Sequence, residues 1–276
     1  MMRLKKSIRI RREGEHFILF DPENDLLHKT NRVGCEIIKL LNGKNQKEDI
    51  QRILISKFKN VEPERIKRDV EEFIKELEIR NLLEIIPMKV TERVFLFKSE
   101  VGSFTYYLDD PSKKILIDAG VFVKKPVDLI IVTHCHFDHI LFLNELKKVN
   151  KCKVICGARE KDAIEKLSEK TLCERSPKKI LQTKIDQTVR EGDIIEARDF
   201  NLKVLETPGH TDGSISLFDE KRKILFSGDA WFGKNYQGRW IYPSGSEIES
   251  RRTLEKLKKL DVKILCPGHW NVVYFP

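Results

Sequence analysis

The residues of this 276-residue chain that could do chemistry concentrate in one short segment, Thr133–His139. Within six positions the segment holds three of the chain's seven histidines and one aspartate. A regular strand or helix would spread four such side chains over different faces, so we expect a turn or loop that wraps around metal. The candidate ligands in it are His134, His136, Asp138 and His139.

Three further residues with metal-binding side chains each follow a strand-like apolar run. His210 and His269 stand directly after Pro-Gly pairs, and Asp229 follows a Ser-Gly pair. Imidazole and carboxylate groups bind divalent metals, and all these groups together are too many for a single four-coordinate zinc ion. They suit two metals that share a carboxylate and activate a water molecule for hydrolysis.

Strand-like runs are the elements that must position these groups. Such runs end just before Asp118, His134, His210, Asp229 and His269, and helical patterns lie between them. If the strands share a sheet system, their ends bring the polar side chains to one edge. This alternation predicts a layered fold of mixed strands and helices with a single site at the sheet edge.

The first 86 residues follow a different pattern. Short strands are predicted over residues 7–30, with a turn at residues 21–25. Three helical stripes follow, in which apolar residues recur at spacings of three and four. We therefore predict an α+β protein of two domains, residues 1–86 and residues 87–276.

The composition excludes several classes of protein. Hydrophobic residues make up 40% and charged residues 34% of the chain, which is enough for a core and excludes a disordered or fibrous protein. No apolar run reaches the roughly 18 residues of a membrane helix, and no signal peptide is recognisable. We expect a cytoplasmic protein with no membrane partner. The net charge of +9 is spread along the chain, and six cysteines without a CxxC pair are expected to be core thiols.

The metal motifs resemble those of the metallo-β-lactamase superfamily. The HxHxDH signature of that family stands here as His134–His139. Its later histidine, its bridging aspartate and its terminal histidine match His210, Asp229 and His269. The resemblance covers roughly residues 90–276, and it implies an αββα sandwich with the metals at one edge.

The same resemblance implies a role for each ligand. One metal would take His134, His136 and His210, and a second metal would take Asp138, His139 and His269. Asp229 would bridge both metals, whereas Asp118 would lie beside the ligands and orient their loop. Asp138 would also be the catalytic residue that orients the proton of a metal-bridging hydroxide.

The aspartate in the bridging position is typical of the glyoxalase II-like branch, because lactam-cleaving members carry cysteine there. The stretch Gly228–Phe232, followed by Gly238-Arg239, also matches that branch. The chain departs from it at Trp240-Ile241, where the branch usually has an aspartate after the arginine. Glyoxalase II continues beyond the position of His269 into a helical domain that binds glutathione. We expect that domain to be absent, which argues against glutathione thioesters.

The expected reaction is hydrolysis of an ester, a thioester or an amide by two divalent metals. Zinc is the expected metal, and iron or manganese would also suit histidine and aspartate ligands. The candidates for the substrate pocket follow the bridging aspartate: Trp231, Lys234, Tyr236, Arg239 and Tyr242. A phosphodiesterase or nuclease, or a non-haem iron enzyme, are the alternatives within this fold. Ser214 has no free base nearby and is interpreted as a turn residue.

Residues 7–85 resemble the PqqD-like domains, which bind leader peptides of ribosomally made natural products. The match runs from the stretch Leu26–Ile38 to a helix over Asp69–Leu83. It implies a winged-helix-like domain that binds a precursor peptide through Leu26, Leu27, His28, Lys29 and Thr30. A dimerisation or lid domain and a DNA-binding regulator are the alternatives. Against DNA, the stretch Glu64–Arg80 carries five basic and six acidic residues, whereas a helix that faces phosphates should be clearly basic.

Overall fold

The computed structural model describes residues 2–14, 16–22, 25–80 and 82–276. The chain forms two compact units, one that ends at Met88 and one that begins at Lys89. In the part of the chain that is described, no helix is long and apolar enough to cross a membrane. The cytoplasmic location stays a prediction.

The first unit combines short antiparallel strands with three helices. Its elements are β1 (Met2–Leu4), β2 (Arg9–Glu13), β3 (His16–Asp21), β4 (Leu26–Thr30), α1 (Arg32–Leu40), α2 (Lys47–Lys57), α3 (Pro63–Ile79) and β5 (Leu83–Ile85). One sheet has the order β2-β3-β4, so β4 is an edge strand, and β1 pairs with β5. The turn predicted at residues 21–25 falls partly outside the described residues, since Glu23 and Asn24 are not among them.

Local sequence explains where the helices of the first unit begin and how they pack. The Asn31 side chain accepts a hydrogen bond from the Gly34 N–H at 2.9 Å, which caps α1. Pro63 is the first residue of α3, where its missing N–H costs nothing. The predicted apolar stripes form the core of the unit, in which Leu54 and Leu77 are fully buried.

The second unit consists of two larger sheets with helices. The strand β6 (Met88–Lys89) spans the boundary of the two units. The first half of the second unit contains β7 (Val94–Lys98), β8 (Phe104–Asp109), β9 (Lys114–Ile117), β10 (Leu129–Val132), α4 (Phe137–Ile140), α5 (Leu143–Asn150), β11 (Lys153–Gly157), α6 (Lys161–Lys166) and β12 (Gln187–Val189). Its second half contains β13 (Ile194–Glu196), β14 (Asn201–Glu206), β15 (Ile215–Asp219), β16 (Ile224–Gly228), α7 (Glu247–Lys258), β17 (Ile264–Pro267) and β18 (Val273–Tyr274). The sheet orders are β12-β11-β10-β9-β8-β7-β6 and β13-β14-β15-β16-β17-β18.

Alternating side chains show that these two sheets pack face to face. In β9, Ile115 and Ile117 belong to the core between the sheets, whereas Leu116 faces the helices α5 and α6. In β16, Phe226 points into the same core and Leu225 packs towards α7. Since successive side chains of a strand point to opposite faces, both faces of both sheets are covered. The αββα sandwich that the resemblance implies is confirmed.

The ends of parallel strands bring the chemistry-bearing loops together. Strands β9, β10 and β11 run parallel to one another, and β16 runs parallel to β17. Asp118 directly follows β9, and the segment beginning at Thr133 follows β10. Asp229 directly follows β16, and His269 stands two positions after β17. Because these loops leave the carboxyl ends of their strands, the predicted site at the sheet edge is formed.

The six cysteines are free thiols, as expected, and five of them are buried. Cys156 lies within β11, and Cys152 lies just before this strand. Burial raises the pKa of the Cys156 thiol. These cysteines therefore contribute to the apolar core.

Candidate metal centre

The segment Thr133–His139 leaves β10 as an irregular stretch and then enters the helical turn α4. The His139 N–H donates to the carbonyl of His136 at 3.0 Å, which closes this turn. His134 and His136 therefore lie in an irregular loop, as expected. Asp138 and His139 lie in a helical turn, which differs from the expectation.

Three histidines form the first ligand group, which consists of His134, His136 and His210. One nitrogen from each ring lies within 4.8 Å of the others. His136 Nδ1 and His210 Nε2 are only 2.8 Å apart. The ring centre of His134 lies 4.8 Å from each of the other two ring centres. Three buried imidazole nitrogens that converge in this way form a site for a divalent cation.

The second ligand group consists of Asp138, His139 and His269. The Asp138 Oδ2 atom lies 3.1 Å from His269 Nε2 and 3.7 Å from His139 Nε2. The two Nε2 atoms are 3.4 Å apart. His139 is fully buried, whereas the His269 side chain is 23% exposed. This group therefore forms the more accessible side of the centre.

Asp229 lies between the two ligand groups. Its Oδ2 atom is 3.4 Å from His210 Nε2 and 3.5 Å from His269 Nε2. Its Oδ1 atom is 3.5 Å from His139 Nε2, and one of its oxygens converges with ring nitrogens of His134 and His139. One carboxylate thus reaches nitrogens of both groups, as a bridging ligand must.

The potential ligand atoms of this centre suit a bound divalent metal. Three buried side-chain atoms of the centre have no hydrogen-bond partner within the described ranges: His134 Nε2, His136 Nε2 and Asp229 Oδ1. Leaving buried polar atoms unpaired is costly unless another group satisfies them. His134 and Asp229 belong, with His139, to one convergent set of potential ligands, and a cation there would compensate the burial of their polar atoms.

Asp118 orients the ligands, and its side chain contacts no atom that would bind metal. Its Oδ2 atom accepts a hydrogen bond from His139 Nδ1 at 2.8 Å. Oδ2 also accepts the Thr133 hydroxyl at 2.9 Å, and Oδ1 accepts the Thr133 N–H at 2.7 Å. Holding Nδ1 in this way directs Nε2 of the same ring to the centre.

Backbone carbonyls fix two more rings. His210 Nδ1 donates to the carbonyl of Arg239 at 2.8 Å, and His269 Nδ1 donates to the carbonyl of Gly102 at 3.1 Å. Because a carbonyl can only accept a hydrogen bond, Nδ1 carries the proton in each ring. The lone pair of Nε2 is then free for a metal.

Burial and charge set the protonation of these groups in opposite directions. Burial lowers the pKa of His136 to about 3 and that of His210 to about 4, so both rings are neutral near pH 7. Burial also opposes a charge on His139, but the carboxylates of Asp138, Asp118 and Asp229 raise its pKa to about 10. The first ligand group is therefore ready to bind metal at neutral pH, whereas His139 must lose a proton.

Glu160 connects two ligand segments, and the sequence analysis did not identify it. Its Oε2 atom accepts the Cys135 N–H at 2.9 Å, from the residue between His134 and His136. Its Oε1 atom accepts the Thr211 hydroxyl at 2.6 Å, from the residue after His210. Only tertiary contacts reveal this link, because Glu160 lies 25 and 51 positions from the two residues it binds.

Tyr242 is the predicted pocket residue that lies at the ligands. Its ring centre is 5.5 Å from that of His136 and 6.2 Å from that of His210, in edge-on contacts. The Arg175 guanidinium lies over the Tyr242 ring, 5.0 Å from its centre. Arg175 was missed by sequence reasoning because it comes from a short 3-10 helix far from any motif.

The other predicted pocket residues lie in different parts of the structure. Tyr236 and Arg239 line a surface cleft, and Lys234 is exposed. Trp231 differs from the expectation, since it is 5% exposed and stacks on Phe275 with ring centres 5.7 Å apart. Its indole N–H donates to the carbonyl of Lys234. Trp231 therefore packs in the core against α7 and does not line a pocket.

The predicted peptide-binding residues lie on the edge strand β4 of the first unit. Leu27 is 66% exposed and Lys29 is exposed, while His28 and Thr30 are each 7% exposed. The Leu26 side chain lies outside the described residues. The alternation places one row of side chains in solvent and one row towards the interior.

Replacing Glu160 with Gln should weaken metal binding by about 10- to 100-fold, as loss of a ligand-orienting hydrogen bond does. Glutamine keeps the size of the side chain. The N–H groups of Cys135 and Gly213 donate to the two oxygens of Glu160, so the amide N–H₂ of glutamine would face one of these donors and lose a hydrogen bond. Zinc affinity measured in competition with a coloured chelator is the test.

Glu165→Gln is the matched control for this experiment. Glu165 accepts the Ile185 N–H at 2.8 Å from the same helical region but contacts no ligand segment. It should leave zinc affinity unchanged. Equal affinities for wild type and a folded Glu160→Gln variant would contradict the orienting role.

Two family models match the chain. The model described as the metallo-beta-lactamase superfamily matches residues 99–269, which is more than half of the chain. The model of coenzyme PQQ synthesis protein D (PqqD) matches residues 16–83. Both resemblances that the sequence suggested are confirmed.

Curated relatives support a hydrolase. A probable metallo-hydrolase of Methanocaldococcus jannaschii is 30% identical over 60% of this chain and 87% of its own length. A hydroxyacylglutathione hydrolase of Bartonella tribocorum is 31% identical over 63% of this chain and 61% of its own length. An acyl-coenzyme A thioesterase of Gallus gallus is 28% identical over 52% of this chain and 57% of its own length.

Solved structures show the same fold. The BLEG-1 B3 metallo-beta-lactamase aligns with a TM-score of 0.58 and 23% identity, over 64% of this chain and 91% of its own. A protein crystallised in a di-iron-bound form aligns with a TM-score of 0.56 and 21% identity, over 69% of this chain and 94% of its own. The chain therefore belongs to the metallo-beta-lactamase superfamily, as a metal-dependent hydrolase with glyoxalase II-like relatives and a PqqD domain.

Proposed function

We propose that this metallohydrolase cleaves a thioester at a centre of two divalent metals. The observation that carries the proposal is the position of Asp229, whose two oxygens lie 3.4 to 3.5 Å from nitrogens of both ligand groups. The hydroxyacylglutathione hydrolase and the acyl-coenzyme A thioesterase among its relatives are named for thioester substrates. We therefore favour a thioester over the phosphodiester alternative.

The first ligand group would hold one metal, the second ligand group would hold the other, and Asp229 would contact both. When bound, the metals supply Lewis acidity, which lowers the pKa of a water molecule and polarises the carbonyl group of the substrate. Zinc is the metal we propose, because imidazole and carboxylate ligands suit it. Iron is the alternative, and a structural neighbour has been crystallised with two iron ions.

Asp138 is proposed as the group that orients the attacking water molecule. Burial favours the neutral form of this carboxyl, but the neighbouring His139 and His269 hold its pKa well below the usual range. Asp138 therefore stays an acceptor at neutral pH. Its side chain is 14% exposed and lies beside the partly exposed His269, so it can accept the O–H of water at the open side of the centre.

The described residues of the centre offer no activated serine nucleophile. The Ser214 hydroxyl lies 2.6 Å from the Thr211 hydroxyl and 3.3 Å from the Thr211 N–H. These contacts stabilise the turn after His210, in keeping with the structural interpretation from the sequence. Hydrolysis would then proceed by direct attack of water on the thioester carbonyl.

Tyr242 and Arg175 form one wall of the centre beside His136. A phenol and a guanidinium both donate hydrogen bonds. We propose that they contact polar atoms of the acyl group, while the apolar face of the tyrosine ring limits the access of bulk water.

We further propose that residues 1–86 are a peptide-binding domain and residues 87–276 the catalytic domain. The edge strand β4 supports this proposal, because backbone groups along a free edge can pair with an added peptide strand. His28 Nε2 is buried without a hydrogen-bond partner in the described part of the chain. Burial lowers the pKa of His28, so its ring is neutral and can contact a polar group of the peptide. A precursor peptide of a natural product would link such a domain to peptide maturation.

The chain should hold two metals when it is saturated. Asp229→Ala should lower the content of both, because it removes a ligand that both groups share, whereas His210→Ala should lower chiefly one. Zinc per chain, measured by plasma mass spectrometry after dialysis, is the readout. Asp162→Asn, whose side chain is 75% exposed, is the control. Saturation at one metal per chain would show that the shared-carboxylate model is wrong.

Asp138→Asn should lower kcat/KM by about 100-fold or more, because a positioned proton acceptor contributes on that scale. Ser214→Ala should keep most of the activity, since its hydroxyl only stabilises a turn. Thiol release from an acyl thioester measures both variants, and zinc content shows whether either loss follows from lost metal. A trapped acyl-enzyme, or an inactive Ser214→Ala variant with full metal content, would refute direct attack by water.

The full chain should bind a peptide encoded near it with a Kd of about 1 μM, which is about −8 kcal/mol. Main-chain pairing releases no phosphate counterions, so added salt should have little effect. Lys29→Pro should weaken binding if its N–H faces the peptide, and Lys29→Ala, which keeps the N–H, should not. Titration calorimetry with circular dichroism as a folding check is the measurement. Binding of duplex DNA with a steep salt slope, and of no peptide, would contradict the proposal.

A further inference from the structure

A surface cleft of about 650 Å³ lies between residues 235–241 and the exposed side of α7. This volume is within the range of about 300–1,000 Å³ that is typical of small-molecule sites. None of the seven candidate metal ligands lines it. The side chains that give the cleft its character are three cations and two aromatic rings: Arg239, Arg251, Lys258, Tyr236 and Trp240.

The lining of the cleft carries more basic than acidic side chains. Glu255 is the one acidic residue of its lining, against three basic residues. Arg239 forms no ion pair or side-chain hydrogen bond with any residue that the structure describes. Lys258 hydrogen-bonds to the neutral amide of Asn235, whereas Arg251, whose side chain is 70% exposed, forms an ion pair with Glu247 at 2.7 Å. An exposed pair of this kind is weak, so Arg251 can still contact an anion. Cations arranged in this way attract an anion, and the arginine fork matches the geometry of phosphate.

The aromatic rings offer surfaces for a flat group. Tyr236 is 55% exposed and is held edge-on by Trp270, with ring centres 5.1 Å apart. Trp240 is half-buried, and over the described ranges its indole has no ring contact and its N–H no acceptor. Exposed aromatic side chains beside arginines are the combination that binds the base and the phosphates of a nucleotide.

Arg239 connects this cleft to the metal centre. Its side chain lines the cleft, while its carbonyl accepts the hydrogen bond of His210 Nδ1 at 2.8 Å. The neighbouring Gly238 is so close that a Cβ atom there would lie 2.6 Å from His210 Nδ1. The backbone of residues 238–239 therefore contacts His210, a member of the first ligand group, while the Arg239 side chain lines the cleft.

We propose that the cleft binds the nucleoside-phosphate end of a coenzyme A thioester whose acyl end is cleaved at the metal centre. The proposal rests on the thioester hydrolase function proposed above. The arginines and the lysine contact phosphates, and Trp240 and Tyr236 contact the adenine ring. In the reaction, the oxygen of water bonds to the carbonyl carbon and the carbon–sulfur bond breaks. The products are a carboxylic acid and the coenzyme A thiol, with no change of oxidation state.

Kinetics of the metal-loaded full chain test this assignment. We expect kcat/KM for an acyl-coenzyme A to exceed that for the same acyl group on N-acetylcysteamine, which lacks the nucleotide. The double variant Arg251→Ala with Lys258→Ala should lower the ratio of the two values by about tenfold or more, as loss of charged hydrogen bonds does. The matched control is Arg252→Ala, which removes the adjacent arginine of α7, is paired with Glu249 and lies outside the cleft. It should leave the ratio unchanged.

Direct binding separates this proposal from the function on which it rests. Adenosine bisphosphate, the nucleotide end of coenzyme A, is titrated into wild type and the double variant by calorimetry. If it binds to wild type and binds more weakly to the variant, while no thioester is cleaved, the nucleotide site stands and the hydrolase proposal fails. Equal kcat/KM for the long and the truncated thioester, with no binding of the nucleotide, would overturn the cleft assignment. A nucleotide that binds without competing with the thioester would overturn it in favour of a separate regulatory site.

Discussion

The burial of Asp229 between two groups of histidines is the constraint on which the rest of the catalytic unit depends. The carboxylate is 8% exposed, and its Oδ1 atom has no hydrogen-bond partner within the described residues. A buried charge of this kind is tolerated only with a compensating cation or hydrogen bonds. Divalent metal held by these ligands would supply that compensation. The backbone must also leave room, because a Cβ atom at Gly268 would lie 2.2 Å from Asp229 Oδ1.

Two other buried carboxylates hold the ligand loops in position by hydrogen bonds. Asp118 accepts hydrogen bonds from Thr133 and His139, and it adopts a positive φ of 62° to do so. Glu160 accepts from Cys135 and Thr211 and so connects the two segments that carry the first ligand group. Burial raises the pKa of Glu160, which shows how much its hydrogen bonds must compensate. Fixed ligand loops bind metal with less loss of conformational freedom.

The candidate metal ligands and the residues proposed to bind the substrate lie largely in different segments of the chain. The seven candidate ligands follow the pattern of the family, whereas the segment after Asp229 carries the features that distinguish this protein. Trp240 stands there in place of the usual aspartate of the glyoxalase II-like branch, and it lines the cationic cleft. The metal ligands alone do not select a substrate, so the side chains around the centre would decide which one is bound.

The sequence by itself determined the strand-end arrangement, the family and the set of candidate ligands, because these depend on local spacing. Short apolar runs such as Ile115–Ile117 and stripes such as the one containing Leu77 indicate strands and helices without reference to distant residues. The tertiary structure alone decided that Asp138 projects from a helical turn, that Trp231 packs in the core, and that Arg175 reaches Tyr242. It also brought Glu160 to the ligand segments. These outcomes depend on contacts between residues far apart in the chain, which periodicity and spacing do not encode.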